Sequence, residues 1–163
     1  MTHASRRWRR ANTWWGMPVV SVTRLHVRRW RYLAPFVISV LRIKRQIERS
    51  PGFIEGLLSA APPFEFWTLT AWRSGGEMRA FRNAAAHAKA MKKLLEWCDE
   101  ASYAHWEQAS DALPPMPDAI EKLRSIGSLS KVRHPSPLQQ RGDLVGIRSP
   151  RPGQRLRSRA QAL

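Results

Sequence analysis

Apolar positions along the chain alternate between a two-residue and a four-three-four spacing, and each change of period marks an element. Val19 to Val27 is β-branched and bounded by Pro18, so it reads as a strand. Both of its parities carry apolar residues, Val20 and Val22 on one side, Val19, Leu25 and Val27 on the other. That pattern suits a strand covered on both faces. Leu33 to Ser50 reads as an amphipathic helix, with Phe36, Val40, Ile43 and Ile47 on one stripe and Arg42, Arg45 and Arg49 opposite. Phe53 to Ala60 is a second strand, broken from a third, Phe64 to Arg73, by Pro62-Pro63. Ser74 with Glu77 three residues on forms a capping box, in which hydroxyl and carboxylate each satisfy a backbone donor. The helix it opens carries Met78, Phe81, Ala88, Met91, Leu95 and Cys98 on its apolar side. It is continuous or kinked at Asn83. Asp99 to Gln108 is the last strand, with Tyr103, His105 and Glu107 on one parity and Ala104, Trp106 and Gln108 on the other.

Strand, helix, strand, strand, helix, strand is the ferredoxin-like βαββαβ order of an α+β fold. Right-handed crossovers place the first and third strands side by side and both helices on one face. The opposite face also carries bulky apolar residues, since Trp67 and Trp72 fall on opposite sides of one strand. A bare apolar sheet of that size is a binding surface. The expectation is therefore a homodimer whose two sheets close into a dimeric α+β barrel.

The expected organisation is a basic disordered extension over 1–16, the barrel domain over 17–113, a Pro-rich linker with a short helix over 114–137, and a basic disordered tail over 138–163. The linker helix runs from Asp118 to Ile126, with Ala119, Ile120 and Leu123 as its apolar side. Met17 directly precedes the first strand and is a candidate physiological start.

The formal charge is +16. Residues 1–31 hold eight arginines and no acid, whereas 32–113 hold ten basic and nine acidic residues. A neutral body with basic ends argues against a domain that reads nucleic acid, and contact of the ends with nucleic acid or an anionic membrane ranks last among the functions. Cys98 is the only cysteine, so no intramolecular disulfide forms, and its apolar neighbourhood predicts a buried, inert thiol. No apolar run approaches the roughly 20 residues of a membrane span. With no signal core after the basic start, a cytoplasmic protein is expected. Paired metal-ligand spacing, a phosphate-cradling loop and a nucleophile elbow are all missing, which removes zinc, nucleotide and serine-hydrolase readings.

The run Thr70-Ala71-Trp72-Arg73-Ser74, with Glu77-Met78-Arg79-Ala80-Phe81 after it, resembles a segment of the dimeric α+β barrel superfamily of antibiotic-biosynthesis-type monooxygenases. Ala86-His87, Tyr103 to Trp106 and Ser130-Lys131-Val132-Arg133-His134-Pro135-Ser136-Pro137 are similar to its spheroidene-monooxygenase-like branch. The resemblance spans roughly Pro18 to Pro137. It implies a monooxygenase-like enzyme acting on a bulky apolar or isoprenoid-type substrate inside the barrel, or a non-catalytic ligand-binding or stress-associated protein of the same fold. Haem-degrading members use an Asn, a Trp and a His where this chain has Thr23, Phe81 and Met91, so their mechanism is not expected. Haem remains a candidate cofactor with His87 as its ligand. His87 is also readable as a base, or as a packing histidine that fixes the strand–helix geometry. Tyr103 and His105 share a strand face and are candidates to orient substrate or proton. Trp67, Trp72 and Trp106 either line an apolar cavity or fill the core.

Overall fold

The computed structural model describes residues 16–146 and 148–159. β1 (Val19–Val27) leads through a single 3-10 turn, Trp30–Tyr32, into α1 (Leu33–Ile47). β2 (Phe53–Ala61) and β3 (Glu65–Trp72) follow as an antiparallel pair, then α2 (Gly75–Arg82), α3 (Ala85–Trp97) and β4 (Cys98–Glu107). α4 (Met116–Ile126), β5 (Ser128–Leu129), α5 (Pro137–Gln140) and β6 (Gln154–Arg157) complete the order. The sheet runs β5-β4-β1-β3-β2-β6. Its inner four strands have the ferredoxin-like order, with β1 between β4 and β3.

The helix start after β3 differs in detail from the expected box. Ser74 Oγ accepts from Glu77 N at 3.3 Å, but its hydroxyl also binds Glu77 Oε2 at 3.0 Å, which takes the carboxylate away from the backbone. The expected helix divides at Asn83, the position of the expected kink, into α2 and α3. One side chain stabilises the break: Gln46 Nε2 donates to the carbonyls of Phe81 and Ala84, and its Oε1 accepts from His87 N at 2.9 Å. An amide from α1 thus satisfies backbone groups at the end of α2 and the start of α3, where helices otherwise leave them unpaired.

The two faces of the sheet are both covered within the chain. On one, Val19, Phe53, Trp72, Met78 and Ile47 pack under the helices, and Val27, Phe36 and Cys98 form a second group. On the other, Val20, Val22, Trp67, Leu69, Ala71 and Ala104 pack against Ala119 and Leu123 of α4. The face on which the sequence predicts a second copy is therefore occupied by this chain's own helix. The small side chain of Ala119 lets α4 approach the sheet, and Leu123 fills the space beside it.

Where the sequence predicts a disordered basic tail over 138–163, the described residues include a helical turn and a strand. β6 extends the sheet along β2, pairing Glu55 with Arg157 through Leu58 with Gln154, and Leu156 is buried. The unpaired edge of β2 supplies backbone donors and acceptors that no side-chain pattern announces. Residues 114–137 are a packed cover rather than a linker. Of the extension at 1–16, all but Gly16 lies outside the described residues. Among the described residues no helix is long and apolar enough to cross a membrane.

Leu123 has no exposed surface. Leu123→Ala is expected to lower unfolding free energy by roughly 2–5 kcal/mol, as large-to-small core changes do, measured by urea denaturation.

Candidate functional site

Alternation along β1 puts Arg24 and His26 on the same side as Val20 and Val22, toward α4. The register then sets Arg24 opposite Trp67 and Ser102, and His26 opposite Glu65 and Glu100. Charges from three adjacent strands therefore meet at one end of the sheet. Arg24, with only 1% of its surface exposed, donates from one guanidinium nitrogen to Glu65 Oε2 at 2.8 Å and to Glu100 Oε2. The other carboxylate oxygens are also satisfied. Glu65 Oε1 accepts from Trp67 Nε1 at 2.7 Å, and Glu100 Oε1 accepts from Ser136 Oγ at 2.8 Å. Burial works against the guanidinium's charge, but the bonds from Glu65 and Glu100 outweigh it and raise the Arg24 pKa.

A β-bulge completes the cluster. Val27 pairs with Cys98 while His26 pairs with Glu100, so Asp99 is the extra residue. Its Oδ1 lies 2.6 Å from His26 Nδ1. This bond is the largest influence on His26 and raises its pKa above 6.5, with burial acting in the opposite direction. In the neutral ring, a proton on Nδ1 shared with Asp99 leaves Nε2 as the basic nitrogen.

A cavity of about 290 Å³ opens at this end of the sheet. His26, Arg24, Glu65 and Glu100 form its polar side, and Ala61, Pro63, Phe64 and Leu138 its apolar side. Arg148 stands at the rim and donates to the Pro62 carbonyl. The chain after α4 closes over the cluster. Ser136 both caps α5 and holds Glu100, while Gln139 accepts from Ala101 N and donates to the Ser130 carbonyl. Gly146, at φ +67°, lies so close against Arg24 that a Cβ there would collide with the guanidinium.

His26, Asp99 and Glu100 place three donor atoms within 4.8 Å of one another. Both oxygens of Glu100 are already engaged by Arg24 and Ser136. A cation would have to displace a buried guanidinium, so the donor set is that of an ion-paired network rather than a metal centre.

The residues singled out in the sequence do not converge on this cavity. His87 lies in the first turn of α3, its Nδ1 3.0 Å from the Arg82 carbonyl and its ring 4.9 Å from Phe81, which in turn lies 5.0 Å from Trp72. Burial pulls its pKa down, keeping it neutral. It lines neither the cavity beside Arg24 nor the open one between Arg45 and Ala85. Met91, one turn on, is exposed at the surface. Haem therefore finds no enclosed position at His87, and the residues there do not fit it. Tyr103 and His105 stack with ring planes 9° apart, on the side of β4 that the register groups with Thr23 and Ser21. That is the side away from Trp106 and from the charged cluster. Trp72 faces the helices, whereas Trp67 and Trp106 face α4. Of the three tryptophans only Trp67 touches the cluster, as a hydrogen-bond donor to Glu65.

The signal for the actual cluster lies in the parity of β1. A strand expected to be buried on both faces carries Arg24 and His26 on an interior parity, and the compensating carboxylates sit in β3 and β4. Cys98 is the inert thiol expected, its pKa pushed up to about 12 by burial.

A family model, described as a domain of unknown function (DUF3291), matches residues 29–131, more than half of the chain. The chain belongs to that family. The DUF3291 match runs from the turn before α1 past β5, so it includes α4 but not α5 or β6. Among curated proteins none matches the chain. Solved structures share the fold at low identity. A protein from Mycobacterium tuberculosis matches with TM-score 0.53 at 12% identity, covering 58% of this chain and 98% of that one. A putative antibiotic biosynthesis monooxygenase from Nitrosomonas europaea matches with TM-score 0.51 at 16% identity, over 57% and 91%. A conserved protein from Methanosarcina mazei Go1 matches with TM-score 0.51 at 14% identity, over 56% and 93%. The fold is thus the ferredoxin-like α+β fold that these structures share. These neighbours are nearly fully covered by little more than half of this DUF3291 chain, so much of it has no counterpart in them.

Arg24→Ala is expected to cost about 3–5 kcal/mol in denaturant unfolding, because Glu65 and Glu100 are left buried and unpaired. Replacing all three charges by neutral residues of similar size (Arg24→Met with Glu65→Gln and Glu100→Gln) should cost less. The pKa of His26, read by NMR titration, should lie above 6.5 and fall in Asp99→Asn. Because the folded value is raised, its stabilising contribution is fully present below pH 6.5 and is lost as pH rises through the folded pKa.

Proposed function

We propose that this DUF3291 protein is a small-molecule oxygenase-like enzyme whose reaction begins with proton abstraction by His26. The observation that carries this reading is His26 on the wall of the end cavity, with Asp99 behind it on Nδ1. A carboxylate on Nδ1 orients the imidazole and stabilises the imidazolium that forms when Nε2 takes a proton. The apolar side of the cavity, Phe64 with Pro63, Ala61 and Leu138, suits an apolar substrate body. At about 290 Å³ the cavity admits a small molecule, or the reacting end of a longer isoprenoid-type chain. The interior lined by Trp67 and Trp106 is filled by α4, so the substrate lies at the end of the sheet rather than along a barrel axis.

The oxygenase assignment draws on the fold shared with the Nitrosomonas europaea protein. It also draws on a chemical economy. A carbon acid that loses a proton to His26 becomes a carbanion, which can give electrons to dioxygen directly. Overall, an activated methylene and one dioxygen become a carbonyl and one water. That change balances without a separate reductant: the substrate carbon is oxidised, one oxygen atom stays on it, and the other leaves as water with both methylene hydrogens. Asp99 and the buried Arg24 network supply orientation, not electrons. Every group named in this site comes from one chain.

A second reading, non-catalytic ligand binding, is favoured by one observation. Every carboxylate oxygen of Glu65 and Glu100 is already engaged, leaving His26 as the group in the cavity wall available for chemistry.

Dioxygen uptake with a panel of 1,3-diketones separates the two. Wild type should consume oxygen, His26→Gln should lose about 10²–10⁴-fold, and Asp99→Asn should move the pH profile to lower pH. Equal rates in wild type and His26→Gln would remove His26 as the base, and diketone binding without uptake would select the second reading.

A further inference from the structure

The nearly neutral charge count of the body conceals a segregation that the fold imposes. Three of its acids, Glu48, Glu65 and Glu100, are buried. Basic residues remain at the surface of the helical layer: Arg42 and Arg45 on α1, Arg49 just beyond it, and Lys89, Lys92 and Lys93 on α3 are all exposed. Glu96 is the one carboxylate along α3, and it is held by Arg28 at 2.7 Å and by Arg133 and His134.

The same surface carries large apolar side chains. Val37, Ile38 and Leu41 on α1 and Met91 and Leu95 on α3 are exposed, and Trp30, in the turn that opens α1, is 80% exposed. α1 and α3 lie side by side, tied by Gln46. Core packing accounts for none of these positions, because α1 turns Phe36, Val40 and Ile47 toward the sheet.

We propose that the outer surface of the helical layer docks on an anionic membrane surface. Aliphatic side chains and a tryptophan among lysines and arginines are what an interfacial contact requires, apolar groups entering the headgroup boundary while the cations meet lipid phosphates. Charge selects this occupant. A second copy would bring two cationic faces together. Nucleic acid would use the cations, but it gains from flat rings that stack on bases rather than from Ile38, Leu41, Met91 and Leu95. The surface lies on the opposite side of the sheet from α4 and does not depend on the chemistry of His26.

Cosedimentation of the full chain with vesicles tests the proposal. Wild type should pellet with phosphatidylcholine vesicles containing phosphatidylglycerol, pellet far less with phosphatidylcholine alone, and release as salt rises. Ile38→Asp with Leu41→Asp, and separately Lys89→Glu with Lys92→Glu, should each weaken binding about tenfold or more. Trp30→Ala removes a ring with almost no packing and keeps the test open should either pair unfold, as judged by circular dichroism. The proposal is overturned if wild type stays in the supernatant with anionic vesicles, or if all three variants bind as wild type does. It is equally overturned if the surface binds a DNA duplex rather than vesicles, with only the lysine pair affecting that binding.

Discussion

One buried guanidinium sets the terms for this structure. Arg24 crosses from β1 to carboxylates on both neighbouring strands, and an unpaired charge at that depth would cost several kcal/mol. Once Arg24 is committed to the α4 side of β1, Glu65 and Glu100 must arrive opposite it, which pins the registers of β3 and β4 together. A slip of one residue in either strand would turn a carboxylate to the other face and leave the guanidinium half compensated. Trp67 and Ser136 then become necessary as donors to the second oxygens. Charge satisfaction thus reaches from the sheet into the segment after α4.

That network also explains why a cavity persists beside it. Polar groups at one end of an otherwise apolar sheet face prevent α4 from sealing the whole surface with hydrocarbon. α4 covers the apolar part, around Leu69 and Val22, and the chain from Ser130 to Gly146 covers the charged part. The bulge at Asp99 belongs to the same arrangement: it turns one more carboxylate toward His26 where β4 begins. Stability and candidate chemistry are therefore built from neighbouring residues. The Arg24 cluster holds the scaffold, and the His26–Asp99 pair stands on it facing open space.

Much of the fold is legible in the sequence because local chemistry dictates it. Proline and β-branching bound β1 at the residues observed, Pro62-Pro63 separates β2 from β3, and Ser74 caps α2. The strand order follows from the alternation of elements and the handedness of crossovers. The candidate site is less legible. His87, Tyr103 and His105 stand out as polar residues in apolar runs, yet the fold places His87 among helix ends and the other two on the side of β4 away from the cavity. Arg24 and His26 read as interruptions of a strand, since their meaning depends on which residues stand across from them.

Contacts a few residues apart along the chain were enough to set the kind and order of the central elements, the two-sided apolar character of the sheet, and the inert thiol at Cys98. What covers the second face, where β6 docks, and which charges meet were decided only in three dimensions. Those outcomes join residues as distant as Arg24 and Glu100, or Glu55 and Arg157, and depend on edges and surfaces that exist only after the strands have paired.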